Sequence, residues 1–68
     1  MKEGTKKQIE GNWDQFTGAI KARWGQVTDS ELKQAEGNAE KLVGIIKEKT
    51  GKSQNEIERE LENLTVQR

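Results

Sequence analysis

Apolar residues recur along this chain with a helical period and never with the alternation of a strand, so helices are predicted throughout. Ile9, Trp13, Phe16, Ile20, Trp24 and Val27 are spaced four, three, four, four and three residues apart. At about 100° per residue they fall within an arc of about 80°, one face of a helix. Leu32, Ala35, Ala39, Leu42 and Ile46 repeat the pattern, with Val43 beside them, and Ile57, Leu61 and Leu64 form a shorter third stripe. The predicted helical stretches are 4–24, 29–50 and 54–65. Gly11-Asn12 and Gly37-Asn38 are candidate breaks in the first two.

The helix ends carry matching signals. Thr28-Asp29-Ser30-Glu31 is a capping box, in which a hydroxyl takes one orphan amide and a glutamate reaches back three residues later. Ser53-Gln54-Asn55-Glu56 is a second box and Thr5-Lys6-Lys7-Gln8 a weaker third. Gly25 and Gly51 each follow an apolar stripe, where a left-handed residue closes a helix.

The chain also matches itself when Lys7 is laid on Lys33. Nine of the 19 positions from 7 to 25 are identical to their counterparts in 33–51, including Glu10-Gly11-Asn12 with Glu36-Gly37-Asn38, Gly18 with Gly44, and Lys21 with Lys47. A duplicated helical unit follows, and two copies are too few for a solenoid. The predicted fold is all-α: residues 1–68 form one domain, a small bundle of two pseudo-repeated helical hairpins with three to five helices.

Composition changes the picture in what it removes. Charged residues make up 35% of the chain against 29% hydrophobic, and 12 cations balance 12 anions. His, Cys, Tyr and Pro are all absent. There is no imidazole base, no thiolate, no disulfide and no activated serine, so no enzyme, cofactor site or metal site is expected. No apolar run is long enough for a membrane span or a secretory signal, which points to the cytoplasm. Zero net charge weighs against tight nucleic-acid binding. Residues 1–28 carry five cations and three anions, too small an excess to mark a nucleic-acid face. The core is thin, because Leu, Ile, Val and Phe together are scarce in so short a chain.

Several residues invite a functional reading. Trp13 and Trp24, near Lys21 and Arg23, have the composition of a base-stacking surface. Both lie on the apolar stripe and are assigned to the core, with Trp24 part-exposed near its helix end. Glu56, Glu58, Glu60 and Glu62 read as a solvated helix, since alternate residues point to different faces. Asn12 and Asn38 read as local caps or turn residues. The glycines at 4, 11, 18 and 25, and at 37, 44 and 51, are spaced by seven and lie opposite the stripes. They serve either as helix ends and close helix crossings or as deliberate softness in the helices.

The stretch Gly11-Asn12-Trp13-Asp14-Gln15-Phe16-Thr17-Gly18, then Lys21, then Trp24-Gly25-Gln26-Val27-Thr28-Asp29, resembles the bacterial CsbD-like stress-protein family. Glu36-Gly37-Asn38, Leu42-Val43-Gly44 and Ile46-Lys47 resemble its second block. Thr50 departs from the family pattern, which often has an aromatic before the last glycine. The resemblance implies a helical bundle induced under general, osmotic or stationary-phase stress, with motif residues that act structurally and no catalytic residues. The glycine content and hydrophilicity also resemble hydrophilins. The function expected is therefore non-enzymatic, protective and without a known partner. The alternative is a small helical binding module for a protein or nucleic acid.

Overall fold

The computed structural model describes residues 2–66. Its elements follow from the caps. Thr28 Oγ1 accepts from the Glu31 amide at 3.2 Å and Glu31 Oε1 accepts from the Thr28 amide at 3.0 Å, so the box opens α3 (Asp29–Gln34). Ser53 Oγ accepts from the Glu56 amide at 3.2 Å and opens α5 (Gln54–Val66). Asn38 Oδ1 accepts from the Lys41 amide at 3.0 Å and opens α4 (Ala39–Thr50). Asn12 works differently. It closes α1 (Glu3–Gly11) by donating its side-chain amide to the Gln8 carbonyl at 3.3 Å, and α2 (Trp13–Arg23) starts at the next residue. Both Gly-Asn pairs are therefore breaks, and the described residues form five helices.

Two cap readings are corrected. Thr5 starts nothing: α1 begins at Glu3 after Lys2, without a side-chain cap, and Thr5 lies inside the first turns. Gly25 is not the left-handed residue that ends α2. Trp24 ends it at φ −123°, and the left-handed glycines are Gly37 and Gly51, both at φ +74°. The physical reason is the corner that follows α2. The Trp24 amide bonds the Ile20 carbonyl at 2.7 Å and the Val27 amide bonds the Trp24 carbonyl at 3.0 Å. That turn buries Trp24 and Val27 together, so no left-handed residue is needed to reverse the chain. Trp24 is accordingly buried, at 4% exposure, and not part-exposed.

Every helix contributes to one apolar core. Ile9 enters from α1, Trp13 and Ile20 from α2, Leu32 from α3, Ala39, Leu42, Val43 and Ile46 from α4, and Ile57 and Leu61 from α5. Phe16, Ile45 and Leu64 pack against its edge. No polar or charged residue among those described is buried. α5 packs on α4 and on α1, and α1 also touches α2 and α4. Among the described residues, no helix is long and apolar enough to cross a membrane.

The sequence repeat is also a repeat of elements. The alignment that lays Lys7 on Lys33 lays the start of α1, Glu3, on the start of α3, Asp29. It likewise lays the start of α2, Trp13, on the start of α4, Ala39. The interior is asymmetric all the same. Trp13 stands where the second copy has Ala39, and Ile9 where it has Ala35, with all four buried.

Candidate functional site

The motif residues divide into two groups once placed. The glycines form no helix crossing. A side-chain carbon added at any of the seven would meet nothing within 4 Å. Gly11 ends α1, Gly25 lies in the corner, and Gly37 and Gly51 hold the left-handed turns. Gly18 and Gly44 sit inside α2 and α4 on their exposed faces. Of the two readings of the glycines, helix ends and softness remain, and crossings do not.

Of the remaining motif residues, Trp13, Lys21, Trp24, Thr28, Asp29 and Glu36 lie on α2, on α3 or in the turns beside them. Lys21 Nζ meets Asp29 Oδ1 at 2.6 Å and ties the two helices across the corner. Thr28 caps α3 beside it. Trp13, Asp14 and Thr17 of α2 face Asp29, Leu32, Lys33 and Glu36 across an open groove of about 230 Å³. Trp13 and Leu32 are its nearly closed floor, and Asp14, Asp29 and Glu36 are acidic groups on its rim. Trp13, Asp29 and Glu36 thus meet at one surface, while Asn12 and Asn38 act at helix ends as expected of local caps.

The same groove exists in the other repeat. Between α1 and α4, Glu3, Lys6, Lys7, Glu10 and Glu40 line a depression. The repeat alignment carries these five onto Asp29, Leu32, Lys33, Glu36 and Asp14, all of which line the α2–α3 groove. In the α1–α4 depression Glu10 Oε2 accepts from the Ala39 amide at 3.0 Å, and Lys6 and Glu40 approach to 3.7 Å.

Sequence patterning missed a charge network that joins α2, α5 and the turn before α5. Glu60 on α5 bonds Lys52 Nζ at 2.9 Å and Arg23 Nε at 2.6 Å, and Arg23 lies 6.0 Å from the Trp24 ring centre. Its side chain is only 14% exposed, so this member of the acidic run is not freely solvated. The Lys52 ammonium is the main reason that its carboxyl lies below the ordinary glutamate range; Arg23 adds to the effect and partial burial opposes it. Glu31 is lowered chiefly by Lys49, whose ammonium lies 2.8 Å away, and also by the Thr28 amide. Arg23 and Glu60 sit on α2 and α5, and Glu31 and Lys49 on α3 and α4. Pairs between separate helices leave no periodic trace, so no pattern in the sequence announces them. Among the described residues, no group of three His, Cys, Asp or Glu could hold a metal ion. The groove sets acidic groups and the Lys21–Asp29 ion pair around two nearly buried apolar side chains.

Comparison with known proteins places the chain. A model of the CsbD-like family matches residues 7–59. A UPF0337 protein of Bordetella pertussis is 49% identical over 53 residues, covering 78% of this chain and 80% of that one. Another, from Protochlamydia amoebophila, is 36% identical over 55 residues, 81% of this chain and 83% of that one. A UPF0337 protein of Rhodopseudomonas palustris is 52% identical over 25 residues, so the chain spans 38% of that relative's length. No solved structure matches at a significant level. The family model covers both copies of the repeat, and relatives align along most of both chains: the chain belongs to the CsbD-like family.

Proposed function

We propose that the chain is a non-enzymatic stress-response protein of the cytoplasm that protects other cell components under general, osmotic or stationary-phase stress. The observation that carries this reading is the pair of glycines at the exposed centres of α2 and α4, with open space where a side chain would go. Each such glycine costs about 0.8–1 kcal/mol relative to alanine. No packing requirement accounts for them, so the bundle is kept softer than its fold needs. Charged side chains, 35% of the chain, keep the opened chain hydrated. A soft, hydrated bundle exposes its apolar stripes when water is scarce and covers damaged proteins weakly and reversibly.

The test is to dry or freeze a labile enzyme with this protein, with its Gly18→Ala plus Gly44→Ala variant, and with an unrelated soluble protein at equal mass. The expected order of recovered activity is parent, then variant, then unrelated protein. Equal recovery in all three overturns the reading.

A further inference from the structure

The two copies of the repeat break at matching places and in different ways. In the second copy residues 35–38 separate α3 from α4, with Gly37 left-handed at φ +74°. The helix that follows is capped twice, by Glu10 on the Ala39 amide and by Asn38 on the Lys41 amide. In the first copy Asn12 alone separates α1 from α2. α2 has no side-chain cap, because Asn12 turns its side-chain amide back to the Gln8 carbonyl of α1. The backbone helical ladder nearly crosses this break. The Asn12 amide bonds the Gln8 carbonyl and the Phe16 amide bonds the Asn12 carbonyl, both at 3.0 Å and both with the four-residue step of a helix. Between them, the amides of Trp13, Asp14 and Gln15 take no acceptor among the described residues. In a continuous helix they would bond the Ile9, Glu10 and Gly11 carbonyls.

We propose that Asn12 is a hinge: when the bundle opens, α1 and α2 join into one helix over residues 3–23, while α3 and α4 stay two. Asn12 sits at φ −122° and ψ 44°. Turning this one residue to helical angles, about −63° and −42°, aligns the two axes and makes the three missing bonds. What holds the bend is the core. Ile9 and Trp13 are buried on either side of Asn12, and α1 packs on α4 and α5. The bend therefore ends when that packing loosens. Ile9, Trp13, Phe16 and Ile20 keep the spacing of one helical face across Asn12, so the joined helix presents them as a single stripe. The stripe from Leu32 to Ile46 also runs in phase, but its break is local. Gly37 must leave the left-handed region and Asn38 must release the Lys41 amide before α3 and α4 can join. The joined helix is the form in which a softened bundle offers its apolar stripe, so the hinge rests on the opening proposed above. The test reads shape and not protection, and the two can fail separately.

The chain has no cysteine, so introduced pairs can be spin-labelled selectively in the whole protein. One pair is Gly4→Cys with Ala22→Cys, in α1 and α2; the other is its repeat counterpart, Ser30→Cys with Glu48→Cys, in α3 and α4. All four positions are exposed. Each pair is 18 residues apart, about 27 Å in a continuous helix and beyond the 24 Å length of the bundle. Pulsed electron-spin distances are recorded along a trifluoroethanol titration, which loosens packing and keeps helices. The α1–α2 pair is expected to gain the longer distance before the α3–α4 pair does. In the unlabelled protein the Asn12 Cα shift is expected to move to helical values over the same range. Asn12→Ala removes the side-chain bond to Gln8 and supplies a better helix former. It is expected to raise the ratio of joined to bent chains at least about threefold at equal trifluoroethanol. The proposal is overturned if the longer distance appears in neither pair, in both together or first in α3–α4. It is equally overturned by an Asn12 shift that stays non-helical or by a ratio that Asn12→Ala leaves unchanged.

Discussion

Glu10, at the end of α1, accepts a hydrogen bond from the backbone amide of Ala39, the first residue of α4, at 3.0 Å across 29 residues of chain. The bond satisfies an amide that α4 cannot satisfy itself and sets a carboxylate at the positive end of the helix. Asn38 takes the Lys41 amide in the same turn. α4 brings Ala39, Leu42, Val43 and Ile46 to the core, more than any other helix, so fixing its start fixes much of the interior.

Glu10→Ala is therefore predicted to destabilise the fold by about 1 kcal/mol, the usual cost of a lost helix cap. For a chain of this size that lowers Tm by about 4–8 °C. Glu36, the repeat counterpart of Glu10, is exposed in the α2–α3 groove. Glu36→Ala is predicted to cost under about 0.5 kcal/mol, as an ordinary surface change does. Paired thermal melts of the two variants check the contrast.

The glycines divide by backbone conformation. Gly18→Ala plus Gly44→Ala is predicted to stabilise by about 2 kcal/mol in all, since both are helical and meet open space. Gly37→Ala and Gly51→Ala face equally open space, but at φ +74°, where an L side chain crowds its own carbonyl. Each is predicted to destabilise by about 1 kcal/mol. Urea midpoints that move in the same direction for both pairs would show that conformation is not the deciding factor.

Where the physics is local, the chain can be read directly. Thr28 and Ser53 open helices because hydroxyl and glutamate lie three residues apart, and both Gly-Asn pairs break helices because the turn is made by those residues themselves. Thr5 shows the limit. The same spacing with lysines between carries no cap, because Lys2 in extended conformation already lets α1 begin at Glu3. Gly25 fails for the opposite reason: burial of Trp24 and Val27 decides the corner, and burial is a tertiary fact. The α2–α3 groove is half visible in the chain, since Trp13, Asp29 and Glu36 belong to the motif. That they meet depends on how two copies of a repeat fold against each other.

Acid is predicted to loosen the ties of α5 to α2 and of α3 to α4. Glu60 and Glu31 have carboxyls lowered from the ordinary value of 4.5 by Lys52 and Arg23 and by Lys49 and Thr28 respectively. A lowered carboxyl binds fewer protons folded than unfolded, so stability rises with pH in that range. The contribution is fully present above 4.5 and is lost as pH falls below it through the folded values. Lys49 is raised from 10.5 by Glu31, so its share is present below 10.5 and lost at higher pH. The urea midpoint is predicted to fall between pH 6 and pH 3, and Glu60→Gln plus Glu31→Gln to flatten that fall. An unchanged slope in the double variant would assign acid lability to other carboxylates.

Trp13 is the residue on which the asymmetry of the repeat rests. It fills with one large side chain the place that Ala39 occupies in the second copy, and both are buried. Trp13→Ala removes an indole from a core of few large side chains, a loss of about 3–5 kcal/mol. That matches the whole stability of a small domain, about 5 kcal/mol, so the variant is predicted to be largely unfolded at room temperature by far-ultraviolet circular dichroism. Trp13→Phe keeps most of the apolar volume and is predicted to stay helical with a reduced Tm. Adding Ala39→Trp to Trp13→Ala exchanges the two sites and leaves the summed volume unchanged. It is predicted not to rescue folding. Ala39 is fully buried at the start of α4, beside the Glu10 cap. A larger side chain there forces a shift that costs a further 1–3 kcal/mol, roughly. Recovery of a cooperative melt in the exchanged chain would mean that the two copies pack symmetrically enough to trade interiors.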